Sequence, residues 1–126
     1  MRQLSLILIF FITSFLSSAQ ETSVLVKKWK LSGVEEFGEK YNPTDAQIND
    51  FIQFHSDKKY SGLINGLVIE GTWIEKTGKY TLVPNKEKSV FKMNWIKMVS
   101  VDAQSLTINY QSTDLIQTKL SYTPAE

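Results

Sequence analysis

From Val24 onward, apolar side chains recur at every second position in short runs broken by turn-forming residues, the period of strands half-buried in an antiparallel sheet. Eight such runs stand out: Val26 to Leu31, Asp50 to Ser56, Lys59 to Ile64, Leu67 to Glu75, Tyr80 to Val83, Val90 to Val101, Ser105 to Gln111 and Leu115 to Tyr122. The strongest of the turns between them is Asn65-Gly66, because both residues tolerate the positive φ of a two-residue hairpin. Short connections join neighbours, so the pattern predicts an all-β fold, an eight-stranded antiparallel up-and-down barrel whose closure hides its edges. An open sandwich is the competing arrangement. One connection, Gly33 to Asn49, is long for a compact domain. Within it Asn42-Pro43-Thr44-Asp45 supplies a cap and a first-turn proline, which predicts about two turns of helix over one barrel end.

Alternation also assigns faces. Leu67, Ile69, Gly71 and Trp73 share one side of their run, with Glu70 and Thr72 on the other, so the first set faces the core. Gly71 then reads as a sharp bend or a close backbone approach, with Trp73 inward just beyond it and Tyr80 beside Trp73 across the Lys76-Thr77-Gly78 turn. Ile52, Phe54, Tyr60, Ile64, Leu106, Ile108 and Tyr110 point inward by the same rule. In the run from Val90 to Val101, Phe91, Met93 and Trp95 oppose Ile96 and Met98, which predicts a bulge near Trp95-Ile96.

The N-terminus adds an address. Arg2 precedes an apolar run from Leu4 to Leu16, and Ser17-Ser18-Ala19 offers small residues for cleavage before Gln20. Residues 1–19 therefore read as a signal peptide and 20–126 as one domain, secreted or periplasmic, with no integral membrane segment after cleavage. Cysteine is absent, so neither disulfides nor a lipid-modified cysteine contribute. Fourteen Lys and Arg face thirteen Asp and Glu; loss of Arg2 with the leader leaves no formal net charge, and nucleic acid is not an expected partner.

Three short motifs carry a resemblance: Lys28-Trp29-Lys30-Leu31, Phe-His-Ser-Asp-Lys-Lys-Tyr from Phe54 to Tyr60, and Glu70-Gly71-Thr72-Trp73. In their order and spacing the mature chain resembles the small secreted bacterial lipocalin-like domains. That resemblance implies a calycin-type barrel, an apolar pocket and a long first loop acting as a lid over Gly33 to Asn49. It also implies a basic residue stacked on Trp29 from the last strand, a position that Lys119 occupies; Lys27 stands where that family places a glycine.

Catalytic chemistry is not expected. His55 is the single histidine and faces away from Phe54, and Glu35-Glu36 form no defined acid-base pair. Asp45, Asp50 and Asp57 lack calcium-loop spacing and suit caps and turns. No metal or cofactor is expected, and the chain does not read as an enzyme. The function that follows is binding of a small apolar or amphipathic molecule through Phe54, Tyr60, Trp73, Tyr80 and Tyr110. The alternative is a protein-interaction or inhibitor module on a solid barrel. Trp73 packed on Tyr80 without an enclosed cavity is the mark of the alternative.

Overall fold

The computed structural model describes residues 24–125. The signal peptide expected over residues 1–19 lies outside the described residues. Nine strands form the described chain: β1 Lys28–Glu36, β2 Glu39–Tyr41, β3 Phe51–Phe54, β4 Lys59–Ile64, β5 Leu67–Lys76, β6 Lys79–Pro84, β7 Met93–Val101, β8 Leu106–Ser112 and β9 Gln117–Pro124. Eight of them form one antiparallel wall in the order β6-β5-β4-β3-β1-β9-β8-β7, with β2 attached to β1 alone. Neighbours in the wall are neighbours in sequence except where β9 returns to β1, so the topology is an up-and-down meander. β6 and β7 are the two ends of the ladder order, and they come into contact without a ladder joining them. The barrel is thus nearly closed, with one seam.

Two-residue turns set the registers. Asn65 and Gly66 take φ of 53° and 75°, and Thr77 and Gly78 take 51° and 80°, the paired positive values that match the twist of flanking strands. Asp50 fastens the first of these: its carboxylate accepts the N–H of Asn65 at 2.7 Å and of Gly66 at 2.9 Å. Burial pushes the Asp50 carboxyl up from the ordinary range, and these two backbone bonds pull it back in part.

The inward set is the one alternation predicts, except that Leu67 at the start of β5 is exposed. Ile52, Phe54, Tyr60, Ile64, Ile69, Trp73, Leu106, Ile108 and Tyr110 are all buried. In β7 the register shifts between Met93 and Trp95 and again between Met98 and Ser100, which turns both Met93 and Ile96 inward. One bulge was expected one residue later than the first of these; the second keeps Met98 and Val101 against the core.

The segment from Gly33 to Asn49 differs from its expected form. A register shift at Leu31/Gly33 lets β1 run on to Glu36, and Phe37-Gly38 then turns the chain into β2. On that side β1 pairs with β3 over Lys28–Lys30 and with β2 over Val34–Glu36. No helix forms among the described residues. Instead Gln47 N–H donates to the Thr44 carbonyl and Asp50 N–H to the Gln47 carbonyl, two successive turns of three-residue reach. The Gln47 side chain takes the Thr44 N–H and donates to Asn65, competing locally with helical bonding in a segment too short to nucleate well.

Candidate functional site

Four of the five aromatic residues expected to bind ligand are brought together. Phe54 and Tyr60 lie 5.9 Å apart, Phe54 and Trp73 6.4 Å apart edge to face, and Trp73 and Tyr80 6.0 Å apart, so the rings form one chain across β3, β4, β5 and β6. Such tilted and edge-on contacts suit the ring quadrupoles. Tyr110 stands apart, packed edge to face on Phe91 at 5.4 Å. Trp73 is 1% exposed; its indole N–H donates to the His55 carbonyl at 3.0 Å, and the Lys58 ammonium caps the ring 4.1 Å from its centroid. The cluster is therefore a packed core whose rings fill one another's space, and Tyr80 alone of the four is only half-buried.

Tyr60 carries the anomaly of this cluster. Its ring lies over Gly71, directly opposite in the β4–β5 ladder, with Cε2 and Cζ 2.5 Å from where a Gly71 Cβ would stand. The ring is 2% exposed, and burial raises the phenol's pKa well above its usual value. Among the described residues, its hydroxyl is a buried polar group with no hydrogen-bond partner. An unmet buried donor costs about 1–3 kcal/mol. Tyr60→Phe is expected to leave stability unchanged or raise it by about 1 kcal/mol, measured by urea unfolding. A loss of stability would show that the hydroxyl has a partner in solution.

Two concavities border the cluster. The first, about 560 Å³, lies on the outer wall of β4–β6 among Lys59, Ser61, Glu70, Thr72, Asn85 and Lys88, with Tyr60 and Gly71 also bordering it. His55 sits at its edge, Nε2 3.3 Å from Ser61 Oγ. The second, about 640 Å³, is the seam between β6 and β7. Tyr80 and Leu82 line one side, Ile96, Met98 and Val101 the other, and Val24 also borders it. Lys79 and Lys97 stand on its lips, and no carboxylate lines it among the described residues. Toward the opposite barrel end the seam is covered, because Asn85 N–H donates to the Glu70 carbonyl and Val90 and Phe91 N–H to the Val68 carbonyl. Sequence alternation could not reveal this groove, since it arises from a ladder that fails to form.

The cation over Trp29 is not Lys119. Lys27 places its ammonium 5.1 Å from the Trp29 centroid, while Lys119 pairs with Glu35 and Asn109 in the ladders. Because Lys27 directly precedes β1 it reaches the ring from the same strand end. No His, Cys, Asp or Glu group of three or more is placed to hold a metal among the described residues.

No family model and no curated protein matches the chain. Among solved structures it is similar to the NMR structure of the protein from Burkholderia xenovorans, at 10% identity and a TM-score of 0.47, over 85% of this chain and 87% of that one. A likeness of that degree carries no functional argument.

Proposed function

We propose that the protein is an exported, lipocalin-like binding domain that takes a small apolar or amphipathic molecule at the β6–β7 seam. The observation that carries this reading is the groove itself, with apolar side chains on both walls, lysines at the lips and Tyr80 joining it to the aromatic cluster. The mutual packing of Trp73 and Tyr80 argues against a roomy cavity on the barrel axis, so the ligand lies in the wall and only its inner edge meets the rings. Titration with an anilinonaphthalene sulfonate dye is the test: saturable binding is expected, weakened about tenfold by Met98→Trp, which fills the groove. Binding that Met98→Trp leaves unchanged overturns the site.

The packed ring cluster favours a second reading, a protein-interaction module on a solid barrel. Its surface is argued next.

A further inference from the structure

Phe37 and Gly38 make the same turn as Asn65 and Gly66. Their φ values are 53° and 78° against 53° and 75°. Asn-Gly is the pair best suited to this geometry, whereas a bulky side chain in the left-handed region is strained. Phe37 gains nothing within the molecule in return, since it is 81% exposed at the tip of the β1–β2 hairpin. Beside it stands a second case. β1 pairs with β9 as far as Glu36 opposite Thr118, which sets the β8–β9 turn next to the hairpin tip. In that turn Leu115 has φ 68° and is 70% exposed. Two adjacent tips thus each hold a large apolar residue outward in a conformation that disfavours it. Strain that the isolated fold does not use points to a contact outside it.

The charges nearest these tips are acidic, with Lys40 one position beyond Glu39 in β2. Glu36 and Glu39 flank the turn, Asp114 precedes Leu115, and Tyr41 donates to Glu39 at 2.7 Å. The Tyr41 phenol is raised by that bond first, then by desolvation and by the charge of Glu36. A matching surface exists on the same chain: the β6–β7 groove has apolar side chains on both walls and carries Lys79 and Lys97, with no carboxylate lining it among the described residues. In the strand order β1 lies across the barrel from the seam, with three strands between it and β6 and two between it and β7, so one molecule cannot satisfy both surfaces.

We propose that the tips bearing Phe37 and Leu115 dock into the β6–β7 groove of a second copy of this chain. The contact is head-to-tail, so repetition gives a short chain of molecules or a ring. Phe37 is the apolar anchor, and Glu39 and Asp114 meet Lys79 and Lys97 at the rim, which steers the approach. The proposal stands apart from the small-molecule reading and shares only the groove with it.

Sedimentation velocity over a range of concentrations tests it on the protein purified from its own host. Mass rising with concentration is expected, with association weakened about tenfold or more by Phe37→Asn. That variant restores the favoured turn pair, so it also melts at a higher temperature than the parent, and loss of association cannot come from misfolding. Lys79→Glu with Lys97→Glu abolishes association, and mixing it with Glu39→Lys, Asp114→Lys protein restores a complex of the two. A monomer at every concentration, or association that Phe37→Asn leaves intact, overturns the proposal. A monomer that still binds the dye overturns this proposal alone and leaves the ligand site standing.

Discussion

Trp73→Ala is expected to lower stability by about 3–5 kcal/mol, a large part of the about 5–15 kcal/mol that holds a small domain. The ring is fully packed, touching Phe54 on one side and Tyr80 on the other, and truncation opens a void that β-strands fixed by ladders cannot collapse to fill. It also strands the His55 carbonyl that the indole N–H meets, and removes the surface that Lys58 caps. Lys58 holds φ 72° in the β3–β4 turn, and its carbonyl accepts the Trp73 backbone N–H. The turn is thereby tied to this strand position through both backbone and side chain. A urea midpoint shift of the stated size at unchanged slope is the expected reading. A variant that unfolds like the parent would remove Trp73 from the core.

Gly71→Ala is expected to cost about 3 kcal/mol, the upper end for forcing atoms into a packed site. An added Cβ would collide with the Val83 carbonyl oxygen and press on the Tyr60 ring. The carbonyl belongs to β6, which pairs with β5 from Gly71 to Lys76, so relief requires moving one strand against the other. The same substitution at Gly33 is the control, because a Cβ there meets Tyr41 O at 3.9 Å and Ser121 Cβ at 4.0 Å, ordinary contacts. Gly33 therefore tolerates Ala within about 1 kcal/mol. Equal effects at the two positions would show that Gly71 is not a point of close approach.

Local rules carried the reading of the barrel a long way, and their failures are specific. Leu67 to Glu75 alternates cleanly, and Ile69 and Trp73 are buried as that alternation requires, though Leu67 at the strand start is largely exposed. Asn65-Gly66 marked its hairpin because the turn chemistry and the required φ agree. The Phe37-Gly38 hairpin escaped notice for the converse reason, since phenylalanine is not a residue that this turn favours. β2 gave no periodic signal either, because Glu39, Lys40 and Tyr41 are all exposed. The helix expected after Pro43 rested on capping residues, and the side chain of Gln47 took part of that bonding for itself. Glycine supplied a reliable signal where backbone crowding demanded it, as at Gly71 beneath Tyr60.

The candidate site was legible only in part. Phe54, Tyr60, Trp73 and Tyr80 do converge, because same-face residues on adjacent strands must. Tyr110 sits with Phe91 instead, a pairing set by the loop between β6 and β7 rather than by alternation. Whether two end strands complete a barrel depends on twist and on the path of that loop, which are properties of the assembled wall. The seam therefore had no mark in any single stretch of sequence.

Backbone amide hydrogen exchange, resolved by residue, in the free protein and with the dye bound, tests the central claim most directly. Because no ladder joins β6 to β7, amides facing the seam along Thr81–Leu82 and Ile96–Val101 exchange much faster than those of the β1–β9 ladder and slow when the groove is filled. Slow exchange at the seam in the free protein, matching β1 and β9, or dye-induced protection confined to other strands, would contradict the account.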